Sequence, residues 1–340
     1  MKLASLPGRG RDGRLVVVSD DLTRCTPAAA VADTLQTALE RWDRASTVLE
    51  RLALQLAEDD APDATPFPTD RVLAPLPRAY QFLDGSAYLT HEELVRSVRG
   101  SDLPPGFHQA PLMYQGVSDA FLAPTAPLLL GDESVGLDFE SEIAVIVDDV
   151  PRGVDRAAAL DHIKLVAVLN DLSLRHVMVD ELARGFGFVL SKPHSSLSPL
   201  AVSPDSLGSA WRDGRLHGRL VTRLDGHVVG NPDPGVDMRF DFADLIVHAA
   251  RTRPLHAGTL VGGGVVQNRD PATGFSSLEQ RAKARHGDEI RAAGAYLKVG
   301  DRVEIEMFDH DGRSLFGPID HRVVAGTGDA AADASDTSAA

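Results

Sequence analysis

The sequence predicts an α+β protein that is mainly β, with a small α+β unit leading into a larger β-rich one. Three observations carry this: helical spacing of apolar residues is concentrated in one run near the N-terminus, β-type segments recur through the rest, and Asp-Gly pairs punctuate them. At 340 residues, 43% of them hydrophobic, the chain is long enough to bury a full core.

The elements follow in order. Residues 2–6 and 14–19 are β-type and flank the glycine-rich stretch 8–13, which makes them a hairpin. Gly8-Arg9-Gly10-Arg11-Asp12-Gly13 has the form G-x-G-x-x-G, but a dinucleotide fingerprint needs a helix N-terminus after it to receive the pyrophosphate. Leu15-Val16-Val17-Val18 follows instead, so the motif reads as a turn. Across 27–57, Val31, Leu35, Leu39, Trp42, Val48, Leu52 and Leu56 recur at helical spacing, with a break expected at 43–46. Residues 58–70 carry three prolines and five carboxylates and read as an exposed linker, giving an N-terminal unit at 1–70 and a larger unit at 71–324. Strands are expected at 140–147, 163–169, 216–224, 260–266 and 302–308. Asp225-Gly226 is a hairpin turn and Asp311-Gly312 another, which argues against an all-parallel doubly wound fold. The tail 325–340 has no large apolar residue and is expected to be disordered.

Composition excludes several functions. The formal charge is −15 and no stretch gathers a basic face, so nucleic acid and anionic membranes are not expected partners. Cys25 is the one cysteine and cannot form an internal disulfide; the opening MKLASLPGRGRDG lacks the apolar core of a signal peptide, which makes the cytoplasm the expected location. Apolar runs such as 143–147 and 165–169 fall far short of the roughly 20 residues that span a bilayer. No G-x-S-x-G elbow occurs and no nucleophile signature surrounds Cys25.

The chemistry lies in the acids. In Phe139-Glu140-Ser141-Glu142-Ile143, strand alternation puts Glu140 and Glu142 on one face, where like charges repel and the strand continues into the apolar IAVIV. A cation would resolve the repulsion, and oxygen-only ligands favour Mg²⁺, Mn²⁺ or Ca²⁺; a solvated acidic face is the alternative. Asp171 follows the apolar strand 163–169 and could complete the set, or could serve as a turn or cap aspartate. Lys192 stands in an apolar, glycine-punctuated stretch and needs an anion, from a structural partner or from substrate. Gly262-Gly263-Gly264 would allow close backbone approach to a ligand, or mark a β-bulge.

These residues lie within ordered motifs: LDFESEIAVIV at 137–147, VLNDLSLR at 168–175, FGFVLSKPHSSLSPLAV at 186–202, GFSSLEQ at 274–280 and GDRVEIEMFDHDGRSLFGPI at 300–319. In that order, from about residue 73 to 324, they resemble the fumarylacetoacetate hydrolase superfamily, and the N-terminal hairpin and helix resemble the small N-terminal domain of its bacterial members. The resemblance implies a mixed β-sandwich roll, a homodimer, and metal-dependent cleavage of a carbon–carbon bond in a β-diketo or oxo-acid substrate. It implies Asp84, Glu140, Glu142 and Asp171 as metal ligands, with Mg²⁺ or alternatively Mn²⁺ or Ca²⁺ bound. His91, seven residues after Asp84, is implied as general base paired with Glu279, with Arg175 and Lys192 as the basic residues of the site. Tyr114, Gly264 and Val265 fall at substrate positions. Three departures bear on the substrate. Val117 replaces an arginine after Tyr-x-Gly, Val265 replaces a threonine, and the glutamine after NDxSxR is replaced near Met178. The superfamily also hosts decarboxylases, hydratases and isomerases, and a non-catalytic metal-containing binding protein is a further alternative. Residues 84–115 are the candidate mobile cover.

Overall fold

The computed structural model describes residues 1–90, 106, 108–286 and 295–326, with the backbone alone for 283–286. The N-terminal strands are β1 (Lys2–Leu6), β2 (Arg14–Val18), β3 (Arg24–Pro27) and β4 (Thr65–Pro66). β1 and β2 pair antiparallel across the glycine-rich stretch, which is a turn between strands and not a phosphate loop. The helical run begins at Leu35, not at 27, and breaks at Glu40-Arg41, not at 43–46. The late start has a physical reason: Ala28 N–H donates to the Leu15 carbonyl at 3.0 Å and Leu15 N–H to the Asp33 carbonyl at 2.8 Å. Residues 28–33 are therefore held against β2, and the helix starts where Thr34 accepts a bond from the Thr37 amide. In the second helix, Trp42–Ala57, Ala45, Leu49, Leu52 and Leu56 form one buried stripe. The acidic stretch after it is partly ordered: Thr65–Pro66 pairs with β3, and Phe67 is buried.

Beyond it come β5 (Gln81–Gly85), β6 (Met113–Gly116), β7 (Leu128–Leu130), β8 (Leu137–Asp138), β9 (Ser141–Val147), β10 (Ile163–Asn170), β11 (Ser173–Leu174), β12 (Ser196–Leu197), β13 (Ala201–Val202), β14 (Trp211–Arg212), β15 (Arg215–Leu216), β16 (Arg219–Leu224), β17 (His227–Gly230), β18 (Thr259–Gly262), β19 (Arg302–Phe308) and β20 (Ile319–Ala325). The main sheet runs β4-β3-β2-β1-β13-β10-β9-β18-β5-β6, with β12 also paired to β10. The hairpin is thus continuous with the central sheet through Lys2 opposite Val202. A second sheet runs β17-β16-β19-β20-β7. Its β16–β17 hairpin turns at Asp225-Gly226 with both residues at positive φ, as that pair of residues allows. Two expected strands are shorter than their apolar runs: 216–224 divides at His217-Gly218, and 260–266 stops at Gly262. Gly264 leaves the ladder because its backbone is left-handed, φ 79°, and its N–H faces side chains.

Alternation along β9 explains the layers. Ile143, Val145 and Val147 join a core with Phe242, Leu245, Val303, Ile305 and Met307, so this face packs on the second sheet and the helix Phe242–Ala249. Ala144 and Ile146 join Leu35, Leu39, Leu49 and Leu52, so the opposite face packs under the N-terminal helices. Ser141 and Thr222 hydroxyls, 2.7 Å apart, tie the two sheets together. Among the described residues no helix is long and apolar enough to cross a membrane. Leu49 is fully buried beneath its helix. Leu49→Ala is expected to lower unfolding stability by about 2–5 kcal/mol in urea titration; a loss under about 1 kcal/mol would mean that the helix packs loosely on the sheet.

Candidate metal centre

The sheet brings three acids to one rim. Gly262 on β18 lies opposite Asp84 on β5 and opposite Ala144 on β9, while Leu169 on β10 lies opposite Glu142. Asp171 follows the last residue of β10. Asp84, Glu142 and Asp171 are buried, and each offers an oxygen within 4.8 Å of the others. The strand between two of them must be bare. A Cβ on Gly262 would lie 2.2 Å from Asp84 Oδ1, so only glycine lets that carboxylate lie across the strand. A Cβ on Gly264 would lie 2.3 Å from the Gly85 carbonyl oxygen; its N–H donates to Asp84 Oδ1 at 3.2 Å and Glu142 Oε2 at 3.1 Å. The glycine run thus ends the ladder and brings backbone against the acids, with no β-bulge in the register of β18.

Both oxygens of Asp171 are engaged. Oδ1 accepts from the Ser195 hydroxyl at 2.5 Å; Oδ2 accepts from the Tyr114 hydroxyl and the Lys192 ammonium, each at 2.5 Å. Lys192 also donates to Glu140 Oε2 at 2.6 Å and lies 5.5 Å from the Tyr114 ring centroid. Glu140 Oε1 in turn accepts from Arg175 Nη2 at 2.5 Å. The same guanidinium gives Nε to Asp138 at 2.9 Å and Nη1 to Glu279 at 2.8 Å. Six carboxylates, those of Asp84, Asp138, Glu140, Glu142, Asp171 and Glu279, thus gather around two cations, Lys192 and Arg175, among the described residues.

That excess of negative charge is felt by the groups that lack a cationic partner. Burial, with the neighbouring Asp171 charge, pushes the Asp84 carboxyl up to about 8. Burial and the charges of Asp84 and Asp171 push Glu142 well above the usual carboxylate range. Burial works to lower the Lys192 ammonium, but the Asp171 and Glu140 carboxylates outweigh it and hold the group above its ordinary value. Glu142 Oε1 is buried with no hydrogen-bond partner among the described residues. An orphaned carboxylate oxygen facing two more carboxylates, with no nitrogen or sulfur donor in the set, fits a hard divalent cation.

The other expected site residues are placed as follows. Glu140 lies beside the triad with both oxygens on cations. Glu279 is the second residue of the helix Leu278–His286 and is paired to Arg175. Tyr114 lies opposite Asp84 on β6, and buried Val265 directly follows Gly264. His91 lies outside the described residues, as do 91–105 and 107 of the proposed cover; Thr90 before it is buried, its hydroxyl on the Gln267 carbonyl at 3.1 Å. Sequence reasoning missed Asp138 and Ser195. Asp138 was within reach, since D-x-E-x-E at 138–142 places a third acid in the same alternation. Nothing in the spacing marks Ser195.

Residues 81–324 match the family described as fumarylacetoacetate (FAA) hydrolase C-terminal, and residues 1–78 match fumarylacetoacetase N-terminal domain 2. The chain is similar to a 2,4-didehydro-3-deoxy-L-rhamnonate hydrolase from a Sphingomonas strain, 24% identical over 211 residues, which are 61% of this chain and 69% of that protein. Its fold matches that of a fumarylacetoacetate hydrolase from Exiguobacterium antarcticum, with TM-score 0.64 and 17% identity over 96% of this chain and 100% of that one. It also matches maleylpyruvate hydrolase from a Sphingobium strain, solved with manganese(II) and pyruvate, with TM-score 0.63 and 17% identity at the same coverage, 96% and 100%.

Two substitutions test the centre from different directions. Glu142→Gln removes a charge, and Gly262→Ala adds a methyl that displaces Asp84 without touching any charge. Each is expected to weaken Mn²⁺ binding in calorimetry by at least about tenfold. Parent-like affinity in both would remove the triad as the cation site.

Proposed function

The chain belongs to the fumarylacetoacetate hydrolase family, and on that premise we propose that it is a metal-dependent hydrolase cleaving a carbon–carbon bond in a β-diketo or oxo-acid substrate. The observation that carries this reading is the buried acid triad with its orphaned Glu142 oxygen, set beside Lys192 and the helix that bears Glu279. Mg²⁺, or alternatively Mn²⁺ or Ca²⁺, would be held by Asp84, Glu142 and Asp171 with Glu140 alongside, supplying Lewis acidity and a template for adjacent substrate oxygens. A maleylpyruvate hydrolase of the same fold holds manganese and pyruvate, which supports an oxo-acid head as the ligand here.

The residues then divide the work. His91 takes a proton from water as the water oxygen bonds to the substrate carbonyl carbon, and Glu279 steadies the imidazolium that results. An imidazole suits this near neutral pH, since its unperturbed pKa is about 6.5. When the carbon–carbon bond breaks, its electron pair leaves on the oxo-acid fragment as an enolate, and His91 returns the proton to that fragment's carbon. Lys192 supplies positive field to the departing charge, anchored by Asp171 and Glu140. Arg175 holds Glu279 in place. Tyr114, Gly264 and Val265 border the substrate. The working unit we propose is a homodimer, as the family resemblance implies, and the cytoplasm is its expected location.

His91→Ala is expected to keep Mn²⁺ affinity while turnover falls by roughly two to four powers of ten. Unchanged turnover would leave the His91–Glu279 pair without a role and favour a decarboxylase, hydratase or isomerase.

Specificity follows from what the cations are already doing. Arg175 is bound to three carboxylates and Lys192 to two, and Val117 and Val265 stand where the family places an arginine and a threonine. Among the described residues neither of these cations is left to meet a distal carboxylate on substrate, and burying one unpaired costs several kcal/mol in rough terms, whereas an apolar tail gains about 0.8 kcal/mol per methylene. An acylpyruvate with an uncharged distal end is therefore expected to show higher kcat/KM than fumarylacetoacetate in a side-by-side assay. Preference for fumarylacetoacetate over every monocarboxylate tried would reverse this assignment.

A further inference from the structure

The helix Leu278–His286 begins at the edge of the site, and its first turn has four backbone N–H groups with no partner inside the helix. Ser277 supplies part of the cap: its hydroxyl accepts from Gln280 N at 3.1 Å, and its carbonyl accepts from Arg281 N at 3.3 Å. Leu278 and Glu279 remain. Their amides donate to a residue about 140 positions earlier in the chain, Asp138, at 2.8 Å to Oδ1 and 3.0 Å to Oδ2. Oδ2 of the same carboxylate also accepts from Arg175 Nε at 2.9 Å, and Arg175 Nη1 reaches Glu279 Oε2 at 2.8 Å. Asp138 is fully buried, in the two-residue strand β8, paired with β11 just before Arg175.

From this closed loop of bonds we infer that Asp138 is the positioning residue of the site: it fixes Glu279 from both ends, through the backbone from which that side chain grows and through the guanidinium that its carboxylate binds. Neither hold works alone. A glutamate side chain has several rotatable bonds, so an anchored backbone leaves the carboxylate free to turn; an ion pair to an unanchored arginine leaves both groups free to move together. The planar guanidinium fork removes the second freedom, because with Nε on Asp138 and Nη2 on Glu140 the direction of Nη1 is set. Asp138 touches neither the acid triad nor, in this assignment, the substrate. Its effect on turnover passes through Glu279, and so rests on the proposed role of that residue.

The test is a double-mutant cycle on the full chain with an acylpyruvate and Mn²⁺, joined to amide hydrogen exchange. Asp138→Asn keeps the shape but replaces one acceptor oxygen by a donor. We expect exchange at Leu278 and Glu279 to quicken at least tenfold, Mn²⁺ affinity to stay within threefold, and kcat to fall by about a hundredfold with KM within threefold. Glu279→Gln should lower kcat similarly, and the double variant should be no worse than Glu279→Gln alone, because both changes act on one group. A merely structural Asp138 would give multiplied losses in the double variant, and that result overturns the inference, as does unchanged exchange at the two amides. Should Asp138→Asn fail to fold, Asp138→Glu, with its charge kept and its reach lengthened by one methylene, is read in the same way. Should the parent chain turn over none of the substrates, the hydrolase reading fails by itself, and the exchange comparison decides the positioning role.

Discussion

Carboxylates repel one another, and burial makes the repulsion worse; the centre of this protein is organised around holding three of them together out of water. The device that allows it is the absence of a side chain. Asp84 and Glu142 stand on strands separated by β18, where Gly262 lies opposite Asp84 and any Cβ on it would meet Asp84 Oδ1 at 2.2 Å. With nothing there, the two carboxylates face each other across one strand, and the amide of Gly264 reaches back to both. The early end of β18 and the left-handed turn at Gly264 are what allow that amide to turn toward them.

The two cations nearby solve a different part of the problem. Lys192 neutralises on the Asp171 and Glu140 side, and Arg175 on the Asp138, Glu140 and Glu279 side. Neither has a hydrogen bond to Asp84 or Glu142, and these are the acids whose carboxyls burial drives furthest toward the neutral form. These two acids are the ones that a bound dication would return to the charged form, and the Lys192 ammonium holds Asp171 beside them. A single chain of contacts, Asp171–Lys192–Glu140–Arg175–Glu279, runs from the acid triad to the helix carrying the proposed partner of His91.

Much of this was legible in the sequence, for definite reasons. Period-two alternation is a local property, so Glu140 and Glu142 on one face and the apolar runs of β9, β10 and β19 could be read from neighbours alone. The Asp-Gly turn at 225–226 was equally local. What was not legible depended on distant partners. Helical spacing over 27–34 was real, but residues 28–33 bond to β2 and the tertiary contact wins over the pattern. Residues 58–70 read as a linker on composition, although Thr65–Pro66 finds β3 and Phe67 finds the core. Alternation also could not tell that Glu140 would turn toward two cations while Glu142 keeps an open oxygen, since that is set by Arg175 and Lys192, 35 and 52 residues away.

The continuity of the main sheet bears on how firmly the site is held. Asp171 hangs from the end of β10, whose Val166 pairs with Val202 of β13, and Val202 in turn pairs with Lys2 of β1. The N-terminal amine closes this arrangement by donating to Ser203 at 2.7 Å, one residue beyond β13. The hairpin is thus continuous with the sheet that carries Asp171, and its helices cover the face to which Ala144 and Ile146 point, the face shared in alternation by Glu142. A strand buried on both faces and paired on both edges has little freedom to flex, and ligand oxygens borne on such strands keep their spacing when a cation leaves. On this account the N-terminal unit adds no residue to the acid triad; it backs the sheet on which Asp84, Glu142 and Asp171 stand.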